Sequence, residues 1–442
     1  MSCFIIENEE YGINAKAIKD CLMCALGGRK PGKVLLVPPD ITRSNSGAGL
    51  ITQMYCELLK DAHIDILPAT GTHAPMTRDE QIAFFGETIP AERYLVHDWR
   101  GGVTKIGEVP GAFVSEVSEG LMDSPIEVEL SNHLLDPSYD LILSIGQVVP
   151  HEVAGMANYT KNIVVGCGGS SFINHSHMLG AVYGMERVMG KDHSPVRKVF
   201  DYAEEKYISN LPVEYVLTVT AGESAVAGDG KGADAGAIAG AGAAFKAGNE
   251  SKIIGLYIGK SREGFNRAVE LSQKHNINYL EKPLETCVVK LDEREFHSTW
   301  LGNKAIYRTR MAMADGGRLI ILAPGVGRFG EDTENDRLIR KYGYRGRAQI
   351  LEKCKTEPDI QNNLSAAAHL IHGSADGRFT VTYAPGKLGR DEVESVGYEY
   401  MPYEAAASIY DADKLLPGYN TLSSGEQIFY IENPALGLWV YL

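Results

Sequence analysis

The sequence predicts an α/β fold of two domains with mostly parallel sheets. Three observations carry that expectation. Short apolar runs at residues 33–38 (KVLLVP) and 64–69 (IDILPA) read as buried strands. Between them Leu50, Ile51, Met54, Tyr55, Leu58 and Leu59 recur at helical spacing, and a strand–helix–strand of that length implies parallel strands joined by a right-handed crossover. Finally, 442 residues exceed what one ordinary hydrophobic core holds.

The remaining elements follow in order. Residues 140–145 (DLILSI), 161–166 (KNIVVG) and 214–220 (EYVLTVT) continue the strand pattern, and 253–259 (IIGLYIG) with a helix near 265–271 close a first domain at 1–283. Residues 221–248 are rich in Gly and Ala but contain neither G-x-x-x-x-G-K-[ST] nor a clean G-x-G-x-x-G, so they read as a small-residue insertion packed on a helix. A second domain at 284–425 carries strands at 286–291, 318–323 and 378–384, with a helix over 358–372 whose Pro358 sits in the first turn. The apolar tail 426–442 is expected to return to the first domain.

Composition excludes several classes. Hydrophobic residues at 44% and charged residues at 23% give the balance of a folded globular chain, and a net charge of −14 leaves nothing basic for nucleic acid. No stretch of about 18 apolar residues is present, so no membrane partner is expected. The acidic N-terminus lacks signal-peptide features, and seven scattered cysteines suit reduced thiols; both point to a cytoplasmic protein. Cys21 and Cys24 form a C-x-x-C with no partner pair elsewhere.

In an open parallel sheet, functional groups gather in loops at the carboxyl ends of strands. Four features occupy such loops. Asp40-Ile41-Thr42-Arg43-Ser44 ends one strand and opens a helix, where backbone N–H groups, hydroxyls and an arginine fork suit an anion; taken alone it is also an ordinary N-cap. His73 and His151 each follow a buried strand, and an imidazole exchanges protons near neutral pH. Lys161 follows Ala-Asn-Tyr-Thr, an odd place for a merely solvated lysine. His175 and His177 stand two apart, so one is able to ligate a metal while the other faces elsewhere.

Taken in order, these motifs resemble the lactate racemase family. Its D-x-T-R is present as Asp40-Ile41-Thr42-Arg43, its A-T-G-x-H as Ala69-Thr70-Gly71-Thr72-His73, and its H-x-x-A-G as His151-Glu152-Val153-Ala154-Gly155, with Lys161 ten residues after the histidine. Asn174-His175-Ser176 matches the nickel-ligand segment, and Lys304 precedes Gly316-Gly317 by twelve residues. The chain departs from the family at Asn158-Tyr159-Thr160, which replace glycine-rich and basic residues, and at Trp300-Leu301, which replace an aromatic-polar pair.

The resemblance implies two α/β domains around a cofactor cleft and a racemase or epimerase of a small 2-hydroxy acid. It implies a nickel pincer nucleotide anchored at Lys161, held by Asp40, Thr42 and Arg43, with nickel on His175 (alternatively His177). His73 and His151 would serve as two bases. Arg43 and Lys304 would grip carboxylate or phosphate, and Trp300 would line the substrate pocket. Partners would be the hydroxy acid itself and the enzymes that make the pincer nucleotide. Removing a proton from C2 beside a carboxylate is costly, whereas removing hydride to an electrophilic cofactor is feasible. Three other readings compete: a nicotinamide-dependent oxidoreductase, a metal-dependent hydrolase using His73, His151 and His175, and a non-catalytic pincer-nucleotide or hydroxy-acid binder. The first lacks a Rossmann fingerprint and the second an H-E-x-x-H.

Overall fold

The computed structural model describes residues 3–221 and 252–441. The Gly/Ala-rich segment read as an insertion therefore lies, beyond Ala221, outside the described residues. The chain divides into two compact units, Met1–Ser176 with Gly190–His275, and His177–Met189 with Asn276–Leu442. The boundary thus falls a few residues before the expected 283, and a short excursion at 177–189 belongs to the second unit.

The first unit is built on a six-stranded sheet in the order Phe4–Glu7, Lys252–Gly259, Val213–Ala221, Leu141–Gln147, Lys33–Val37, His63–Ile66. The last four are mutually parallel, and the first two run antiparallel at one edge. The register sets Val34 against Ile64 and Leu141, so the apolar runs read from sequence form the sheet's interior. Val34, Leu35, Leu36 and Val37 are all inaccessible to solvent, as expected of a parallel strand covered on both faces. Helices Ala15–Leu26 and Ala48–Leu58 cover one face, burying Ile18, Leu22, Ile51 and Tyr55 against Leu36 and Leu143.

The second unit repeats the principle. Its sheet runs Glu399–Tyr400, Thr380–Pro385, Met313–Ala323, Leu284–Lys290, Gln427–Ile431, Gly418–Thr421, and every pair is parallel except the last. Both units are mixed α/β with mostly parallel strands.

Three local expectations are corrected. Residues 161–166 form no strand: Thr160–Val164 is a short helix, and five residues carry too little periodicity to separate a buried strand from a buried turn of helix. The expected helix over 358–372 is two helices, Pro358–Gln361 and Leu364–His372; between them Asn363 turns out of the helix and caps the second through Ala366 N–H. The tail meets the expected first domain (1–283) only through Leu438–Val440, which pairs with Ile277–Tyr279, while Gln427–Ile431 pairs with the strand carrying Cys287–Val289; all of these belong to the second compact unit.

Candidate active site in the first unit

The loops after three neighbouring parallel strands converge. Pro39 bridges to Ala69, joining the ends of the strands that lead to Asp40 and His73. Asn162 on the short helix donates to the Val37 carbonyl and the Ser144 hydroxyl, both at 3.0 Å, tying the segment of Lys161 to two strand ends. Gly71, at φ 58°, donates from its N–H to the Gly166 carbonyl at 2.9 Å, fixing the His73 loop to the turn after that helix. Asn162 was not singled out from the sequence, where nothing distinguishes it from a surface amide.

Asp40 and His73 form a pair. Asp40 is buried and caps the 3-10 turn Ile41–Ser46, accepting from the Thr42 N–H at 3.0 Å and the Thr42 hydroxyl at 2.5 Å. Its second oxygen lies 2.6 Å from His73 Nδ1. Burial alone would raise the Asp40 carboxyl, but the bonds to His73 and Thr42 outweigh it and hold the group below the usual carboxylate value. An ionised Asp40 accepts a hydrogen bond from the Nδ1–H of a neutral His73, which leaves Nε2 with a lone pair. The half-exposed ring is thus held in the tautomer of a general base.

His151 is arranged the other way. It is buried at the tip of a small hairpin, Pro150–His151 against Gly155–Met156. Its Nδ1 accepts from the backbone N–H groups of Val153 at 3.1 Å and Ala154 at 3.3 Å. Two donors on one nitrogen exclude a proton there, so the neutral ring carries its proton on Nε2. The Glu152 carboxylate lies 3.8 Å from Nδ1, beyond hydrogen-bond reach. In this state His151 is a hydrogen-bond donor at Nε2.

Lys161 is partly buried in the first turn of the Thr160–Val164 helix. Burial, then the Arg43 guanidinium, push its ammonium down to about 8; Glu152 and Asp40 pull the other way and Arg197 adds to the push. Arg43 itself breaks the helical geometry of its turn, with φ −115° and ψ 35°. Arg43, Glu152 and Asp40 are therefore each within electrostatic reach of Lys161.

His175 lies on the helix Ser170–Tyr183, with Nδ1 2.8 Å from the Ser171 carbonyl. That bond needs Nδ1–H, which leaves the Nε2 lone pair to a metal and supplies the outer hydrogen bond typical of a ligating histidine. His177 is two positions on, about 200° around the helix, so the two rings face differently. Among the described residues no three His, Cys, Asp or Glu side chains group so as to hold a metal ion.

Two expected residues belong to the second unit. Trp300 and Lys304 stand four residues apart on successive short helices, Thr299–Gly302 and Lys304–Thr309. The Trp300 ring stacks on His369 at 4.2 Å, and His369 is braced on its two nitrogens by the Tyr307 and Tyr344 hydroxyls, each at 2.9 Å. Lys304 has Glu295 at 3.8 Å and lies over the Phe296 ring. Nothing in the sequence points to the brace behind Trp300, because Trp300, Tyr307 and Tyr344 lie 69, 62 and 25 residues before His369.

Comparison with known proteins agrees with this architecture. Residues 22–190 match the lactate racemase N-terminal domain family. A lactate racemase of Thermoanaerobacterium thermosaccharolyticum is 27% identical over 165 residues, a stretch covering 35% of this chain and 35% of that protein. A protein of Thermotoga maritima shares the fold across 99% of this chain and 100% of its own, with a TM-score of 0.78 and 24% identity. The lactate racemase apoprotein of T. thermosaccharolyticum does so across 98% and 90%, with a TM-score of 0.64 and 18% identity.

Proposed function

We propose, on the premise that this chain belongs to the lactate racemase family through its residues 22–190, that it is a racemase or epimerase of a small 2-hydroxy acid working with a nickel pincer nucleotide. The observation that carries the reading is the Asp40–His73 pair, a base held in its reactive tautomer at the strand ends where Lys161 also sits. When bound, the pincer nucleotide supplies a hydride acceptor for C2. The Lys161 amine would anchor it, and His175 would ligate its nickel through Nε2; imidazole is a suitable nickel donor.

The chain's own groups then divide the work. His73 Nε2 takes the hydroxyl proton, and ionised Asp40 stabilises the imidazolium that results. His151 offers an N–H to a substrate oxygen, so it is a donor rather than an equal second base. Arg43 holds an anionic group of substrate or cofactor.

The test is intact mass and nickel content after co-expression with pincer-nucleotide biosynthesis enzymes, followed by a screen for inversion at C2. Added mass lost in Lys161→Ala and nickel lost in His175→Ala are expected. A folded protein with neither, from cells that load a lactate racemase, overturns the reading.

A further inference from the structure

The segment leading into Lys161 has a backbone that its residue types do not favour. Asn158 and Tyr159 are consecutive left-handed residues, at φ 63° and 56°, and Tyr159 combines that φ with ψ −136°. Asparagine tolerates such a conformation, but for a bulky aromatic it is an outlier that persists only where its surroundings over-determine it.

The surroundings do so here. Asn158 and Tyr159 are both buried. Tyr159 is packed between Tyr215 (ring centroids 4.3 Å apart) and Phe265 (5.0 Å, stacked). Asn158 accepts from the Tyr159 N–H at 2.7 Å and lies against Gly146, where a Cβ would come within 2.1 Å of Asn158 Nδ2.

Beneath this turn lies Arg197, fully buried on the helix Pro195–Ala203. Its Nη2 donates to the Met156 carbonyl at 2.6 Å and the Asn158 carbonyl at 3.4 Å, and its guanidinium lies over the Phe265 ring at 4.6 Å. Among the described residues its Nε and Nη1 have no hydrogen-bond partner, so its hydrogen bonding is spent on the turn and on no carboxylate. Burial draws the guanidinium down to about 10, which keeps it charged at neutral pH.

We propose that Arg197 is a positioning residue for Lys161: by holding the Met156 and Asn158 carbonyls it locks the strained Asn158–Tyr159 turn, and the locked turn sets the lysine amine among Arg43, Asp40 and Glu152 as a nucleophile ready for covalent attachment. The proposal shares with the racemase reading only the identity of what becomes attached. It is tested without cofactor and fails or stands separately.

The test labels the full chain with limiting acetic anhydride from about pH 6 to about pH 11 and follows the Lys161 peptide by mass spectrometry. The groups facing the amine are Arg43, Glu152, Arg197 and Asp40. Lys161 is expected to acetylate with a midpoint near pH 8, against about 10.4 for exposed lysines. Arg197→Met should move the midpoint up by about one unit, a roughly tenfold loss of labelling rate at pH 7, with Arg197→Lys between the two. The high-pH plateau separates a changed midpoint from changed access. If Arg197→Met does not fold, Tyr159→Gly keeps the arginine, accepts the positive φ and releases the ring anchor; it should move the midpoint in the same direction. An ordinary lysine midpoint in the unmodified chain, or an unmoved midpoint in whichever variant folds, overturns the proposal.

Discussion

His73 and His151 follow strands of the same parallel sheet, yet their surroundings place the ring proton on opposite nitrogens. His73 is half-exposed and donates a hydrogen bond from its Nδ1–H to a buried carboxylate. His151 is buried and receives two backbone N–H groups on the same atom. One ring is prepared to accept a proton at Nε2, the other to donate a hydrogen bond there. The lesson is that residue type and strand-end position nominate a group for proton chemistry, while its hydrogen-bond partners decide which half of that chemistry it performs.

The largest effect should come from replacing the two rings by glutamine, which keeps an N–H donor but cannot carry a proton. In the loaded enzyme His73→Gln is expected to lower kcat/KM by about 10²–10⁴-fold. His151→Gln should lower it by only about tenfold, since a donor remains. Equal losses would restore two equivalent bases. Nitrogen-15 spectra of histidine-labelled protein give an independent check, with His151 expected to show an unprotonated Nδ1 and His73 an unprotonated Nε2.

Asp40→Asn should come next. It removes the charge that fixes the His73 tautomer, and a loss on the order of 10²-fold in kcat/KM is expected. Its carboxyl is held below the usual value in the folded protein, so its stabilisation is present above the unfolded pKa, near 3.9, and lost as pH falls through the lower folded one. The variant should therefore show a flatter fall of Tm across that acid range, and an unchanged acid limb would mean the Asp40–His73 bond carries no stability.

The smallest effect sharpens the contrast between carboxylates. Glu204 is partly buried beside Tyr215, whose hydroxyl it accepts, and Thr160, and burial pushes it up to about 7. The folded state then binds the extra proton between about 4.3 and 7, so stability falls as pH rises through that window. Glu204→Gln should raise Tm by about 2 °C at pH 8 and leave it unchanged at pH 4. A gain at both would assign the effect to packing rather than to charge.

Much of this molecule was legible in advance. The central strands were read correctly because their apolar runs are closed off by polar loops, and Asp40 and His73 stand out because they fall in those loops. The short helix at Thr160–Val164 was misread as a strand, since five residues hold too little periodicity to choose. The His369 brace behind Trp300 and the Arg197 grip on the Asn158–Tyr159 turn were not visible at all, because they join residues far apart in the chain.

The sequence by itself determined the α/β class, the parallel order of burial and the residue types available for chemistry, since each follows from local spacing of apolar and polar groups. Only the tertiary structure decided which nitrogen of each histidine carries a proton, and which charges surround Lys161. Those properties depend on distances between segments and on water excluded from between them, and neither quantity is written in any local stretch of chain.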